Sequence, residues 1–368
     1  MKSSLFWLRW NKQWNKFNKM TAKAFISTPL ETVYVEKIRS VGGKRVEVVY
    51  EPDLLPDRRY AADHKGAENF KRNDEQLSRW FKHLASADFL WDIPPLESLP
   101  SKDGSWAPKL KWVQTTSSGV GQLMETLKFK SSNIVVTTAK GVHAAPLSEY
   151  VMMMTLNHIK RFDHLQNEQN KRQWKRYCGE SLRGKCVTII GAGEVGDRIA
   201  KQCKNFGMYV SAMSRTLTKE EGIRRGYDSV FYRENMKDVM AYSDVVVLCV
   251  PHTAATEHMI DKPIFESMKR GCLLVNIARG QVIDEEAMIE ALLSKKLGAA
   301  ALDVTSIEPL PSNSPLWDLP NVFISPHSAS TVGEENGMIV DIFIHNMECM
   351  LNGTPNKMKN KFDFSEGY

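Results

Sequence analysis

Three short polar stretches late in the chain each carry one chemically capable side chain. They are NIARG (Asn276 to Gly280), DVTSIEPLP (Asp303 to Pro311) and SPHSAS (Ser325 to Ser330), which contribute Arg279, Glu308 and His327. A guanidinium is a planar fork that grips a carboxylate with two parallel hydrogen bonds. An imidazole gives or takes one proton near neutral pH, and a carboxylate beside it fixes its tautomer and favours its protonated form. Together the three groups suit hydride transfer at a carbon next to a carboxylate. Taken singly, each is also what a helix end, a solvated face or a turn cap would use. Their placement just beyond predicted strand ends, downstream of a glycine motif, raises the set above those readings, because open α/β sheets bind ligands there.

The elements that must position them begin at Lys185. KCVTIIGAGEVG reads as a buried strand, a tight turn and the start of a helix, with Gly191, Gly193 and Gly196 at the spacing GxGxxG. Gly191 permits the turn, Gly193 lets a diphosphate approach the backbone, and Gly196 lets helix and strand pack closely, with phosphates at the positive helix N-terminus. Gly191, Ala192, Gly193, Glu194, Val195 and Gly196 are therefore candidate cofactor contacts. A second strand, Met208 to Met213, ends in Ser214, Arg215 and Thr216. An NAD site normally has an acidic residue about 20 positions past its glycines, and none stands here. An acid would repel a ribose 2′-phosphate, whereas Arg215 and a hydroxyl can bind it, and Lys219, Arg224 and Arg225 follow nearby. The expectation is NADPH in preference to NADH, with NAD as the other form to be tested. The competing reading is that Arg215 stacks on the adenine of either cofactor.

Composition narrows the class. At 368 residues the chain exceeds one typical domain, and 42% hydrophobic with 25% charged residues is ordinary for a folded protein. The net charge of +6 would suggest nucleic acid if it were spread over the chain. However, Lys2, Arg9, Lys12, Lys16 and Lys19 lie in the first 20 residues without an acid among them, so the body is nearly neutral and no nucleic acid is expected. Six cysteines show no CxxC pair and nine histidines no HExxH, so no metal is expected and a reducing compartment is. No apolar run reaches the roughly 18 residues of a membrane span, and no secretory signal is visible. Residues 1–20 place Trp7, Trp10, Trp14 and Phe17 at helical spacing between basic residues. Two readings stay open for them: a plain extension, or a helix that targets mitochondria or lies on a membrane. Otherwise the expected location is cytoplasmic.

From Ala22 to Thr138, short strands (Lys23–Ser27, Arg45–Tyr50, Asp88–Trp91, Leu110–Gln114, Ile134–Thr137) alternate with helices (Glu31–Val41, Asp74–Ala87, Val120–Lys128). One long helix is expected from Pro146 towards Trp174. Its triple Met reads as packing between lobes. After Thr216 come strand Asp244–Val250, helix Pro263–Met268, strand Leu273–Ile277, helix Asp284–Lys295 and strands Ala299–Val304 and Val322–Ser325. The fold class expected is α/β with two Rossmann-like lobes, one of them a doubly wound nucleotide-binding domain. A last helix, Glu334–Leu351, has no place in that second sheet and is expected to cross back to the first lobe. This gives an extension at 1–20, a first lobe at 21–145 and 331–368, which the resemblance stated below implies is the substrate-binding (catalytic) domain, and an NAD(P)-binding domain at 146–330.

On these motifs, with WVQTTSSGVGQL (Trp112 to Leu123), GVHAAPLSEY (Gly141 to Tyr150) and VPHTAATEHMI (Val250 to Ile260), the chain resembles the D-2-hydroxyacid dehydrogenase family over about residues 22–353. The resemblance implies a flavodoxin-like substrate domain completed by the C-terminal helix, a small 2-keto or 2-hydroxy acid substrate such as glyoxylate or hydroxypyruvate, and a homodimer. It implies that His327 is the general acid in reduction and the base in oxidation, and that Glu308 hydrogen-bonds it. Arg279 would hold the substrate carboxylate, helped by backbone N–H groups of Ser118, Gly119 and Val120. Asp303 would face the nicotinamide carboxamide, Val250, Pro251 and Thr256 would line the adenosine and phosphate side, and Ala278 would join the cofactor contacts. Thr305, where an aromatic residue often follows Asp-Val, and His252, where Leu is frequent, depart from the family text. Neither is expected to touch the proton relay. Two alternatives stay open: a phosphoglycerate dehydrogenase-like enzyme, and a dinucleotide-sensing scaffold resembling the C-terminal-binding corepressors.

Overall fold

The apolar runs are short and continuous rather than alternating, as strands of a parallel sheet covered on both faces must be. The computed structural model describes residues 21–129, 133–365 and 367, so the readings of residues 1–20 lie outside the described residues. The chain divides into two units, one running to Val142 and resuming at Val332, the other His143–Thr331.

The first unit holds β1 (Ala22–Ile26), β2 (Val46–Val49), β3 (Phe89–Trp91), β4 (Trp112–Gln114) and β5 (Val135–Thr137). They form one sheet in the order β2-β1-β3-β4-β5, with every ladder parallel. This is the flavodoxin-like order. The register lines up Phe25, Leu90, Val113 and Val136 in one row and Ala24, Phe89, Trp112 and Val135 in the next. With side chains alternating along each strand, the two rows face opposite sides, and each needs its own cover. The second row receives the helix Glu335–Leu351, whose Ile339, Val340, Phe343, Met347 and Met350 form a buried stripe at helical spacing. Phe343 packs on Trp112 and Trp91 at 4.7 and 5.6 Å between ring centroids. The C-terminal helix thus returns to the first sheet, where the large aromatic side chains need covering.

The second unit holds β6 (Cys186–Ile190), β7 (Tyr209–Met213), β8 (Ser229–Phe231), β9 (Val245–Leu248), β10 (Cys272–Asn276), β11 (Leu297–Leu302) and β12 (Val322–Ile324). Their order is β12-β11-β10-β9-β6-β7-β8, again wholly parallel, so every strand ends at the same edge. The order reverses between β6 and β9, and that is where a doubly wound sheet opens its ligand crevice. Two expectations need correcting. The single helix from Pro146 to Trp174 is two helices, Ala144–Ile159 and Phe162–Asn170, broken where Arg161 turns left-handed at φ 54°. The stretch between Thr216 and Asp244, read without elements, contains β8 and the short helices Lys219–Arg224 and Met236–Met240. These pieces are too brief for periodicity to show. Among the described residues no helix is long and apolar enough to cross a membrane.

Candidate active site

The glycine motif adopts the backbone its spacing calls for. Gly191 sits at φ 112°, and a Cβ there would lie 2.8 Å from the Cys249 carbonyl oxygen, so the turn after β6 is pressed against the end of β9. A Cβ on Gly196 would meet the Gly191 carbonyl oxygen at 2.2 Å, which is the close helix–strand approach. At Gly193 a Cβ would meet nothing within 4 Å. Gly193 is the N-cap of the helix Glu194–Asn205, and no side chain caps that end. An open Cα beside an uncapped helix N-terminus fits a diphosphate.

Beside this loop, the Gly191 N–H donates to the Met213 carbonyl at 3.0 Å, which places the end of β7 against the glycine turn. Ser214 Oγ accepts the Leu217 N–H at 3.2 Å and shapes the Ser214–Thr216 loop, from which Arg215 and Thr216 are exposed. Arg225 differs from the sequence expectation. Its guanidinium is engaged by the Asp197 carboxylate and the Ala192 carbonyl. On the β9 side, Thr256 Oγ1 donates to the Pro251 carbonyl at 2.7 Å and closes the loop after Val250. His252 pairs with Glu257 in that loop. Burial pushes the Cys249 thiol up to about 12, so it is a packing group beneath the loop.

β10, β11 and β12 end in the three polar stretches. Asn276 shapes the first: its Oδ1 accepts the Ala278 N–H at 3.0 Å and its Nδ2 donates to the Arg279 carbonyl at 3.1 Å. Arg279 Nη1 donates to the Ala278 carbonyl at 2.6 Å. Burial lowers the Arg279 pKa, and the carboxylates of Glu308 and Asp303 oppose that shift. A lowered value still leaves a guanidinium charged.

His327 is held at φ 53°, a left-handed backbone that costs a non-glycine residue about 1–2 kcal/mol. Asp303 fixes it there. The Asp303 carbonyl accepts the His327 N–H at 2.8 Å, and its buried Oδ1 accepts Ser325 Oγ at 2.6 Å and the Ser328 and Ala329 N–H groups at 2.9 Å each. Tyr150, its hydroxyl pushed up to about 12 by burial, lies 3.2 Å from Ser325 Oγ. The imidazole Nδ1 then meets Glu308 Oε2 at 2.8 Å. With Nδ1 on the carboxylate, Nε2 is the nitrogen on the far side of the ring. Burial works against the Glu308 charge, but the hydrogen bond and charge of His327, the Thr305 N–H and Arg279 hold its pKa below the ordinary value. Thr305 was expected to stay clear of this relay. Instead its N–H lies 3.3 Å from Glu308 Oε1, and its backbone is the surface on which Gly280 packs.

The family model described as D-isomer specific 2-hydroxyacid dehydrogenase, NAD binding domain, matches residues 152–329. The human glyoxylate reductase/hydroxypyruvate reductase is 31% identical over 253 residues, covering 67% of this chain and 75% of that protein. The chain belongs to the D-isomer specific 2-hydroxyacid dehydrogenase family. A D-3-phosphoglycerate dehydrogenase of Archaeoglobus fulgidus is 36% identical over 219 residues, 58% of this chain, yet the matched stretch spans only 41% of that relative's length. The solved structure of a D-isomer specific 2-hydroxyacid dehydrogenase family protein from Aeromonas salmonicida aligns with a TM-score of 0.77 at 27% identity, over 94% of this chain and 100% of its own.

In this family member, Arg279, Glu308 and His327 stand at one edge of the second unit with Gly191–Gly196, Ser214–Thr216, Val250, Pro251, Thr256, Ala278 and Asp303. Ser118, Gly119 and Val120 belong to the first unit, in the loop between β4 and the helix Gly121–Thr126, where Val120 is the buried N-cap. Asn276, Gly280, Ser325 and Tyr150 stand at the ends of their motifs but carry no role expected from sequence; they hold the loops that carry Arg279, Glu308 and His327. Their partners are distant in the chain or are backbone atoms, so residue type and spacing did not show what they hold. Among the described residues no group of three or more His, Cys, Asp or Glu side chains is arranged to hold a metal ion.

Proposed function

We propose that the chain transfers a hydride between a nicotinamide dinucleotide and a small 2-keto or 2-hydroxy acid, as a glyoxylate or hydroxypyruvate reductase does, with NADP(H) preferred. The observation that carries this reading is the 2.8 Å pair of His327 and Glu308 at the same sheet edge as Arg279 and the uncapped glycine loop. The cofactor, when bound, supplies the hydride. Gly191–Gly196 would hold its diphosphate, and Ser214, Arg215 and Thr216 the 2′-phosphate. Val250, Pro251 and Thr256 would line the middle, with Ala278 and Asp303 at the nicotinamide end.

Strand order supports the direction of that chain of contacts. From β7 through β6, β9 and β10 to β11 is four strand spacings, roughly 19 Å at about 4.8 Å each, which suits an extended ligand with an anionic middle. Arg279 would grip the substrate carboxylate, a geometry for which its fork is suited. His327 would give the carbonyl oxygen its proton from Nε2 in reduction and recover it in oxidation, while Glu308 keeps the ring oriented. The missing acid after β7 favours the 2′-phosphorylated cofactor.

The test is a panel of glyoxylate, hydroxypyruvate, pyruvate and 3-phosphohydroxypyruvate, assayed with NADPH and with NADH, for the wild type and Arg215→Asp. NADPH should give the higher kcat/KM, and the variant should move the ratio towards NADH by about tenfold, the worth of one charge-assisted contact. An unchanged ratio removes the 2′-phosphate assignment. Tight dinucleotide binding without turnover of any acid would instead favour the scaffold reading.

A further inference from the structure

We infer that Arg225 is a positioning residue that sets the glycine loop for the cofactor's diphosphate. This rests on the reading of that loop as a dinucleotide site. Arg225 follows the helix Lys219–Arg224 as its C-cap. Its Nε lies 3.1 and 3.0 Å from the two carboxylate oxygens of Asp197, and its Nη2 2.6 and 2.7 Å from the same pair. The same Nη2 donates to the carbonyl oxygen of Ala192, the second residue of the motif. The buried Tyr227 adds its hydroxyl to Asp197 Oδ1 at 2.8 Å. Burial and that carboxylate both raise the Tyr227 pKa, so the hydroxyl stays a donor.

The consequence lies in the peptide that Arg225 holds. In a trans peptide the carbonyl and the N–H point in opposite directions. Fixing the Ala192 carbonyl on Arg225 therefore aims the Gly193 N–H the other way, with the open Cα of Gly193 beside it. Asp197 lies one turn into the helix Glu194–Asn205, so a single guanidinium ties the loop to the helix it begins. Arg225 also sits on the segment that carries Arg215. Thr218 caps the start of the helix Lys219–Arg224, accepting the Glu221 N–H at 3.1 Å. Gly222 is wedged on β8, with a Cβ there only 2.2 Å from Val230 Cγ2. The residues proposed for the 2′-phosphate and the one that sets the diphosphate loop thus flank one short, firmly seated helix. An uncharged side chain at 225 would leave the Ala192 carbonyl and the Asp197 carboxylate without this fork.

The experiment measures displacement of bound NADPH or NADH, by nicotinamide fluorescence, with ADP and with adenosine. The variants are Arg225→Leu, Arg225→Lys and Tyr227→Phe, and each Tm is recorded. The ratio of the adenosine Kd to the ADP Kd isolates the diphosphate's share of binding and holds for either cofactor. Arg225→Leu should lower it about tenfold, the worth of one charge-assisted hydrogen bond. Arg225→Lys should recover part of the loss. Tyr227→Phe should lower Tm and leave the ratio within about twofold, because it spares the Ala192 contact. An unchanged ratio in Arg225→Leu overturns the inference, and so does equal weakening of ADP and adenosine, which would mark a structural role alone. A wild type that binds neither dinucleotide overturns the glycine-loop reading itself, whereas wild-type binding with an indifferent Arg225→Leu overturns only the positioning role.

Discussion

Replacing Gly280 by alanine tests whether two strand-exit loops must touch for the site to work. A Cβ at position 280 would lie 2.0 Å from both the carbonyl carbon and oxygen of Thr305 and 2.3 Å from the Ser306 nitrogen. These are backbone atoms with no rotamer to escape into. Restoring ordinary contact would part the loops by roughly 1.4 Å. They are also tied together: Gln281 Nε2 donates to the Ser306 carbonyl at 2.9 Å, and the Ser306 N–H to Glu285 Oε2 at 3.1 Å. Overpacking of this kind costs about 1–3 kcal/mol, and in a domain of this size each kcal/mol lowers Tm by roughly 2–4 °C. A fall of roughly 2–12 °C is expected. One loop carries Arg279 and the other Glu308, so the same displacement should lower kcat/KM by about a hundredfold, the usual effect of a 1 Å misplacement. Thermal unfolding and steady-state reduction of glyoxylate with NADPH measure both. A Tm within roughly a degree of wild type together with kcat/KM within about twofold would refute the packing argument. A lowered Tm with intact kcat/KM would leave the packing and refute its link to catalysis.

Further outcomes follow from the same geometry. Glu308→Gln should lower kcat/KM about 5–30-fold: a hydrogen bond to a charged group is worth about 1.5–3 kcal/mol, and solvent screening brings it to about 1–2 kcal/mol here, because this pair is half-exposed, 46% for His327 and 38% for Glu308. Because Glu308 is held below its ordinary pKa, its stabilisation is present above about pH 4.3 and is lost as pH falls through the folded value. The wild type's advantage over Glu308→Gln in urea unfolding, less than about 1 kcal/mol for so exposed a pair, should therefore shrink on acidification; an advantage that grows would contradict it. Gly193→Ala, which meets nothing within 4 Å, should keep its Tm yet weaken dinucleotide binding about tenfold by crowding the diphosphate. Calorimetric titration showing unchanged affinity would move the diphosphate elsewhere.

Much of this protein is legible in its amino-acid sequence. The apolar runs placed eleven of the twelve strands within a residue or two, because continuous Val, Ile and Leu segments between turn residues have few other uses. The glycine spacing located the loop because each glycine answers a local steric demand. Arg279, Glu308 and His327 were legible by type and by position after strands. Less was legible where elements were short, as with β8, or where a single left-handed residue such as Arg161 broke a pattern that ran on through it.

What the chain alone determined was therefore local: strand and helix type, the turn at Gly191, and an inventory of groups able to grip a carboxylate or move a proton. Tertiary structure alone decided who meets whom. It turned Arg225 inward to Asp197 and Ala192, committed an oxygen of Asp303 to the histidine loop, and brought the Thr305 backbone against both Gly280 and Glu308. The physical reason is that side-chain spacing along one element is set by its own repeat. Contacts between elements depend instead on register and packing across many residues, and these leave no trace in the type or spacing of the residues that end up touching.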